Sequence, residues 1–443
     1  MAHRVVVVGG GFGGIRVVQG LRRAPVDVTL VDRRNFHLFQ PLTYQVATGA
    51  LSSSEIAYPL RGIFRSSPNV RVMLAEVTDF DLDGRSVSLD SGAPGVHAPA
   101  SIPYDTLVVA AGSSYSYFGH EEFSRYALEV KTLESAESVR SRLLSAFESA
   151  ENAEVPDEVN PDLTFVIIGA GPTGVEMSGQ IAELARETLR HDFRRISPGR
   201  ARVILIDGLD RILTSFPPSL SAKATRSLER LGVSVRLNQS VIGVDATGVT
   251  TTTSTGEQQR ILTHNVVWAA GVTASPLAKR LAELSGASTD QNGRLLTGPD
   301  LSLPDHPDVF AIGDMVQVRD QAGEVKPLPG LAPVAIQQGR HVARVIKRKV
   351  AGQESVPFHY HDKGNVATIG KARAIVDVKG LRLSGLPAWM VWLVVHIWYL
   401  VGFRNRLFVI LQWSISLFTG GRGSRLIEAE PADSRDQITT RQS

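Results

Sequence analysis

Two glycine-rich stretches in this sequence have the spacing needed to hold a pyrophosphate. GGGFGG at residues 9–14 and GAGPTG at residues 169–174 both satisfy the pattern G-x-G-x-x-G. Glycine lets the backbone turn tightly and approach a phosphate, whose charge is stabilised by the free N–H groups at the start of the following helix. The motif glycines that we expect to bind cofactor are Gly9, Gly11 and Gly14 in the first stretch and Gly169, Gly171 and Gly174 in the second.

An acidic residue follows each motif at the end of a second apolar run. Asp32 ends VDVTLVD, and Asp207 follows VILI. A carboxylate at this position accepts hydrogen bonds from ribose hydroxyls. Asp207 would also repel a 2′-phosphate, which favours NADH over NADPH, although Arg211 lies close enough in sequence to weaken that preference. The alternative is a glycine turn with an Asp that only caps a helix.

The residues around each motif predict the elements that would position it. β-Branched runs at residues 4–8 and 26–32 enclose the first motif and its helix, and residues 163–190 and 201–208 repeat that order. Strand, glycine turn, helix and strand form the nucleotide-binding unit of Rossmann-like domains. We therefore predict an α/β fold with two Rossmann-like dinucleotide-binding domains, the second inserted in the first.

Two dinucleotide sites in one chain suggest a reaction. The simplest one is hydride transfer from a pyridine nucleotide to a flavin, because these cofactors carry the chemistry and the protein positions them. The alternative is that one of the two copies is a structural relic.

The amino-acid composition excludes several kinds of cross-link and metal site. The chain has no cysteine, which excludes disulfides, iron–sulfur clusters and thiolate zinc sites, and no histidine spacing suggests a metal site. A net charge of +3 is too small to indicate nucleic-acid binding. The first residues lack the long apolar stretch of a secretory signal, so we expect the protein to remain on the cytoplasmic side.

Further motifs resemble those of one family. HLFQPLTYQVATG at residues 37–49, GAGPTGVE at 169–176, VFAIGD at 309–314 and LAPVAIQQGRHVA at 331–343 are together similar to the type II NADH:quinone oxidoreductases. The resemblance covers residues 4–420. It implies non-covalent FAD, NADH as donor, a quinone as acceptor and two-electron transfer without proton pumping.

The resemblance also implies roles for particular residues. The carboxylates of Asp314, Asp32 and Asp207 correspond to those that bind the FAD ribityl chain, the FAD ribose and the NADH ribose. Glu176 corresponds to a carboxylate at the nicotinamide–flavin junction. Gln337 and Gln338 correspond to glutamines near the flavin where quinone is reduced. The other residues expected at the cofactors are Phe12, Gly13, Arg33, Gly112, Gly271 and Gly313.

Three of these positions also have simpler explanations. Pro333 stands where much of the family has Gln, and a proline also suits the first turn of a helix. Glu176 would be stabilised by the helix dipole if it lay in the first turn of a helix. Lys371 matches a basic family position near this glutamate, but a solvated lysine is an equally good interpretation.

The C-terminal part is apolar and aromatic. Residues 386–403 and 407–418 form two apolar stretches that contain four of the five tryptophans, and no Asp or Glu occurs from Lys379 to Arg425. This composition is typical of helices that lie on a membrane with positive charge toward anionic lipid. A single membrane span and a pair of buried or dimer-interface helices are the alternatives.

These observations give a domain division and a set of rival functions. We expect a peripheral protein on the cytoplasmic face of the cell membrane, with quinone and lipid as partners and a homodimer left open. Without cysteine, disulfide reductases and sulfide:quinone oxidoreductases are excluded. A soluble ferredoxin or rubredoxin reductase and a non-enzymatic NADH sensor remain as alternative functions.

The sequence also predicts a division into segments. The expected segments are FAD-binding 1–118 and 291–350, a connecting helix and linker at 119–162, NADH-binding 163–290, membrane-associating 351–427 and a disordered tail at 428–443.

Overall fold

The computed structural model describes residues 2–153, 160–419 and 421–427. The predicted disordered tail lies outside the described residues, as do residues 154–159 of the predicted linker. The strands are β1 (His3–Val8), β2 (Val26–Asp32), β3 (Phe36–Leu38), β4 (Ala57–Pro59), β5 (Val70–Asp81), β6 (Ser86–Ser91), β7 (Ser101–Pro103), β8 (Thr106–Val109), β9 (Ser113–Tyr115), β10 (Ala127–Glu129), β11 (Thr164–Ile168), β12 (Arg202–Ile206), β13 (Val233–Arg236), β14 (Gln239–Asp245), β15 (Gly248–Thr253), β16 (Gln258–Leu262), β17 (Asn265–Trp268), β18 (Val272–Ala274), β19 (Leu295–Thr297), β20 (Ser302–Leu303), β21 (His306–Ala311), β22 (Val316–Arg319), β23 (Val325–Lys326), β24 (Asn365–Gly370), β25 (Arg373–Val378) and β26 (Leu381–Gly385).

Helices connect these strands. Short 3₁₀ turns and one π-helical turn after the sixth helix complete the secondary structure. The α-helices are α1 (Phe12–Leu21), α2 (Thr43–Ala47), α3 (Ser53–Ile56), α4 (Leu60–Phe64), α5 (Leu133–Asn152), α6 (Pro172–Glu183), α7 (Pro218–Arg230), α8 (Pro276–Ser285), α9 (Ala332–Val350), α10 (Leu386–Tyr399) and α11 (Phe403–Thr419).

The chain divides into two compact units, each made of three segments. Unit 1 contains residues 1–38, 57–114 and 272–363, and unit 2 contains residues 39–56, 115–271 and 364–443. This division differs from the sequence-based segments. Residues 272–290, which include α8, pack within unit 1, and the C-terminal segment packs within unit 2.

Unit 1 is built around an eight-stranded sheet in the order β20-β21-β8-β1-β2-β5-β6-β7. The central strand β1 pairs in parallel with β2 on one side and β8 on the other. Ligands of open α/β sheets bind at such a reversal of strand order, outside the carboxyl ends of the strands. Helices α1 and α9 pack together on this sheet through buried apolar side chains.

Unit 2 repeats the arrangement in a five-stranded sheet, β10-β17-β11-β12-β13. Here β11 pairs in parallel with β12 and β17, so the strand order reverses beside the second glycine motif. The sheet β14-β15-β16 and the meander β24-β25-β26 are antiparallel. The two predicted strand–helix–strand copies are therefore confirmed.

Two helices follow the meander at the C-terminus. Helix α10 packs on β25 and β26, and α11 contacts α3 and α10. Among the described residues, no helix is both long and apolar enough to cross a membrane. The helical conformation is interrupted between α10 and α11 at Leu400, whose backbone is extended, and at Gly402, whose φ is +89°.

Residues after α11 return to the interior of unit 2 through a buried ion pair. Arg422 donates hydrogen bonds to the carbonyl oxygens of Thr48 and Gln180 at 2.9 and 3.1 Å, and its guanidinium lies 3.9 Å from the Glu183 carboxylate. Both side chains are nearly inaccessible, with 5% and 6% exposure. Burial raises the pKa of Glu183 and lowers that of Arg422, so each charge depends on the other.

We expect Arg422→Met to lower the free energy of unfolding by about 3–5 kcal/mol, because the substitution leaves the Glu183 carboxylate buried without its counter-charge. Thermal unfolding of the purified full-length protein in detergent measures the change. Arg425→Met is the matched control. Arg425 bonds Asp192 at the surface, where an ion pair contributes at most about 1 kcal/mol. Equal losses in the two variants would contradict a special role for the buried pair.

Candidate functional site

The first glycine motif forms a tight turn between β1 and α1. Gly9 has φ +100°, and a Cβ placed on it would lie 2.4 Å from the carbonyl oxygen of Ala110. A Cβ on Gly14 would lie 1.8 Å from the Gly9 oxygen, so only glycine fits either position. At Gly11 a Cβ meets nothing within 4 Å, so this glycine leaves open space at the helix start.

Asp32 stabilises this turn directly. One carboxylate oxygen accepts the Gly10 N–H at 2.5 Å, and the other accepts the Arg34 N–H at 2.7 Å. Burial raises the pKa of Asp32 against the lowering effect of these bonds. The residue therefore shapes the turn and does not cap a helix.

Unit 2 contains the same construction. Gly169 has φ +102°, and a Cβ on Gly174 would lie 1.8 Å from the Gly169 oxygen. The Asp207 carboxylate accepts the Ala170 N–H at 2.6 Å and the Leu209 N–H at 2.8 Å. A Cβ on Gly171 meets nothing within 4 Å, so this motif also leaves space for a phosphate.

The carboxyl ends of β8 and β21 bring further predicted residues of unit 1 to the edge where the first motif lies. Gly112 and Gly313 have φ values of +72° and +85°. Asp314 accepts a hydrogen bond from the Ser113 hydroxyl at 3.2 Å. The structure thus places these residues at one edge of one sheet.

Gln337 and Gln338, predicted as a pair, have different environments. The Gln337 amide donates to the His361 carbonyl at 2.9 Å and accepts its N–H at 3.0 Å, so both amide atoms hold a backbone segment. Gln338 is fully buried. Its Oε1 accepts the Gly313 N–H at 2.7 Å, and its Nε2 has no partner among the described residues.

These features test whether the residues fit FAD and NADH. A buried amide N–H without a partner costs free energy, so the Gln338 Nε2 beside Gly313 suits an acceptor oxygen of a bound flavin. The open space at Gly11 and Gly171, each at a helix start, suits two pyrophosphates. The residues present therefore fit both cofactors.

Other predicted residues have structural contacts of their own. Phe12 packs edge-on against His37 with ring centroids 5.1 Å apart, and Gly13 faces α9 at the Ala335 carbonyl. Arg33 lies 3.5 Å from the Glu76 carboxylate. A Cβ on Gly271, whose φ is +65°, would lie 2.5 Å from the Phe118 ring.

His37 belongs to the polar framework of the first motif. Its Nδ1 lies 2.9 Å from the Gly10 carbonyl oxygen, and burial lowers its pKa to about 4. The side chain is therefore neutral at physiological pH. No cluster of side chains that suits a metal ion occurs in the described part of the chain.

Glu176 differs from the helix-dipole expectation. Helix α6 begins at Pro172, so Glu176 lies in its second turn and not its first, where the dipole effect has faded. Its side chain is buried, with the Thr368 N–H 3.4 Å away, and burial raises its pKa to about 8. The carboxyl is therefore largely protonated at neutral pH and can hold or release a proton near that pH.

Lys371 is neither a partner of Glu176 nor a freely solvated lysine. Its Nζ donates to the Ser416 carbonyl at 3.3 Å, and its backbone N–H bonds the Glu183 carboxylate. It is half-buried at one side of a cavity in unit 2.

This cavity, here called the tryptophan cavity, is open to solvent on one side. It lies where α2, α6, the meander and the C-terminal helices meet. Sequence analysis missed it, because no spacing links α2 to α10 and α11. The side chains that define it are Tyr44, Gln45, Lys371, Trp389, Trp392 and Trp413.

Comparisons with known proteins agree with the geometry. A family model for pyridine nucleotide-disulphide oxidoreductases matches residues 3–339, and a model for the NDH2 C-terminal domain matches residues 362–422. The solved structure of NDH2 from Plasmodium falciparum in complex with NADH superposes with a TM-score of 0.86, covering 96% of this chain and 99% of that chain at 19% identity. The predicted α/β fold class is confirmed.

Two curated relatives are more similar in sequence. The type II NADH:quinone oxidoreductase NdhA of Mycobacterium tuberculosis is 45% identical over 97% of this chain and 90% of its own length. The enzyme Ndh of the same organism is 42% identical over 98% of this chain and 92% of its own length. These matches confirm the resemblance found in the motifs.

The raised pKa of Glu176 predicts a pH-dependent stability difference. Between about pH 4.5 and pH 8 the unfolded chain has released a proton that the folded protein retains, so this group's contribution to stability falls as pH rises. We expect Glu176→Gln to gain stability over the wild type by up to about 1.4 kcal/mol per pH unit in that range.

Thermal unfolding of both proteins from pH 5 to pH 9, without added NADH, measures this difference. Glu257→Gln, which changes an exposed carboxyl in the same unit, is the control and should keep a constant offset. Parallel wild-type and Glu176→Gln curves would mean that Glu176 ionises as an ordinary exposed carboxyl does.

Proposed function

Because the chain belongs to the type II NADH:quinone oxidoreductases, we propose that it passes electrons from NADH through FAD to a quinone at a membrane surface, without moving protons across that membrane. The observation that carries this proposal is the 45% identity over nearly the whole chain. The repeated glycine turn, each with its own carboxylate, supports it independently.

The two units would bind different dinucleotides. In unit 1 the amides of residues 9–14 would bind the FAD pyrophosphate, Asp32 its ribose and Asp314 its ribityl chain. In unit 2 the amides of residues 169–174 and Asp207 would bind NADH. Bound FAD supplies the chemistry of accepting a hydride and returning two electrons to the acceptor.

Two further residues would act on the reacting groups. The unpaired Gln338 N–H would donate to an acceptor atom of the flavin and fix its orientation. Glu176, with a pKa of about 8, would hold or release a proton when electrons and protons move together. Gln337 has no such role in this proposal, because its amide is bound to His361.

The membrane surface would be the exposed side of the C-terminal helices. Apolar side chains there are strongly exposed, including Val394 at 60%, Trp398 at 74% and Phe403 at 83%. Large exposed apolar patches mark interaction or membrane sites. A quinone dissolved in lipid would approach from this side.

Basic residues contribute less to membrane attachment than their number suggests. Arg422 is buried, Arg425 pairs with Asp192, and Arg406 donates to the carbonyls of Trp398 and Leu400 at the end of α10. Attachment would therefore depend mainly on apolar burial.

A comparison of donors and acceptors tests the function. We expect full-length protein in detergent to oxidise NADH fastest with a short-chain quinone, and to prefer NADH over NADPH because the Asp207 carboxylate repels a 2′-phosphate. Ferredoxin and oxygen serve as alternative acceptors in the same assay. Faster turnover with ferredoxin would favour a soluble reductase, and turnover with none of the acceptors would favour an NADH sensor.

The membrane surface predicts the effect of two exposed substitutions. Trp398→Ser with Phe403→Ser should lower partitioning onto liposomes at least 100-fold, because each large apolar side chain contributes about 1.5–3 kcal/mol on burial. FAD content should not change. Flotation with liposomes that contain anionic lipid measures the partitioning, and 1 M salt should leave wild-type binding largely intact.

Leu209→Ser with Leu262→Ser is the matched control, since these leucines are 54% and 50% exposed on the nucleotide-binding part of unit 2. Equal loss of binding in both double variants would refute attachment through the C-terminal helices, as would complete release of the wild type by salt.

A further inference from the structure

Helices α1 and α9 of unit 1 form a groove, here called the basic groove, that is lined by four cationic side chains. Arg16 comes from α1, and Arg340, Arg344 and Lys347 come from α9. Neither helix contains an Asp or a Glu, and in the part of the chain that the structure describes no carboxylate lines the groove. A local excess of four positive charges is large for a protein whose net charge is +3.

The groove exists because the two helices cross in close contact. A Cβ on Gly20 would lie 2.5 Å from the Cβ of Ala343, and a Cβ on Gly339 would lie 2.3 Å from the Gly13 carbonyl oxygen. Gly20 and Ala343 line the groove and are too small to fill it. The open space between the long basic side chains is therefore a consequence of the helix contact.

The cations of α9 have no counter-charge of their own. Arg340, Arg344 and Lys347 follow one another at intervals of four and three residues, which places them on one face of the helix. They are exposed, and their side chains make no ion pair or hydrogen bond to any described residue. Lys349, by contrast, pairs with Asp308 at 2.8 Å.

Helix electrostatics explains only one of these three charges. Lys347 lies in the last turn of α9, where the helix dipole stabilises a cation. Arg340 and Arg344 lie in the middle of the helix, where the dipole gives no such gain and like charges four residues apart repel each other. A bound anion would remove that repulsion.

The residue types of the groove indicate which anion fits. A guanidinium binds phosphate through two parallel N–H groups, and three cations spread over about 10 Å of helix suit several linked phosphates better than a single one. Among the described residues, no aromatic side chain lines the groove to stack on a base, and no large apolar one lines it to enter lipid. The lining therefore recognises a soluble phosphate chain.

We propose that the basic groove binds a soluble anion with several linked phosphate groups, held by the guanidinium groups of Arg340 and Arg344. The anion would bridge α1 and α9, the helices that contain the first glycine turn and Gln338. No covalent bond is made or broken. The inference is independent of the electron acceptor and goes beyond the proposed function.

Calorimetric titration of the full-length protein with inorganic tripolyphosphate tests the inference. The protein is held in non-ionic detergent with FAD bound and with saturating NAD⁺, so that the probe cannot occupy the two glycine turns. We expect one binding site per chain. Arg340→Gln with Arg344→Gln should raise its Kd at least about tenfold, because the loss of even one charge-assisted hydrogen bond has an effect of that size.

Arg61→Gln with Arg65→Gln is the matched control. These arginines are also exposed, four residues apart and in unit 1, but they lie outside the groove, so the same charge is removed. The control should keep the wild-type Kd, and FAD content should be unchanged in both double variants. Tripolyphosphate should raise the melting temperature of the wild type and the control but not of the groove variant.

Three results would overturn the inference. The first is an equal loss of affinity in both double variants, and the second is orthophosphate binding as tight as tripolyphosphate binding. The third is a wild type that ignores tripolyphosphate but loses flotation with anionic liposomes when Arg340 and Arg344 are replaced, which would assign these cations to a lipid surface. Absence of quinone turnover in the wild type would overturn the proposed function alone.

Discussion

A carboxylate that accepts the backbone N–H after the first motif glycine is the interaction on which both glycine turns depend. Asp32 bonds Gly10 and Asp207 bonds Ala170 with nearly equal distances, 2.5 and 2.6 Å. The bond joins the end of the second strand to the glycine turn, so the strand register fixes where the turn lies. The position of the glycine turn then determines where the N-terminus of the following helix points. The same sequence pattern therefore has the same geometry in both units.

Helix α6 carries two buried glutamates, and their carboxyl groups have different surroundings. Glu176 and Glu183 are seven residues apart, which places them on the same side of the helix, and both are buried. Glu183 pairs with Arg422, whose charge opposes the effect of burial on its pKa, and that pair ties the residues after α11 to the interior of unit 2. Among the described residues no cation lies at the Glu176 carboxylate, so burial raises its pKa to about 8. The sequence places both carboxylates on a helix and does not distinguish them.

Local patterns predicted what depends on neighbours in the chain. The glycine turns, their strands, the carboxylates at the strand ends and the helix that begins near Pro333 all follow from short-range rules. Contacts between distant segments were not predictable. Gln337 and Gln338 are adjacent, yet one binds His361 and the other Gly313, because successive residues of a helix point about 100° apart. Likewise, Trp392, Gln45 and Arg422 come together only through the tertiary fold, so their spacing in the sequence carries no signal.

The C-terminal helices show why apolar composition left several interpretations open. Helix α10 buries Ala388, Trp392 and His396 at intervals of four residues. Its opposite side repeats the same interval with large exposed apolar residues, namely Leu386, Met390, Val394 and Trp398. A helix that is apolar all round gives no amphipathic pattern, so the sequence does not reveal which side faces the protein. The structure separates the two stripes: Trp392 of the inner one lines the tryptophan cavity, and the outer one is an exposed apolar surface of the kind that marks an interaction site. In the proposed function a lipid surface covers this outer stripe, so that one side of the helix packs on the protein and the other on the membrane.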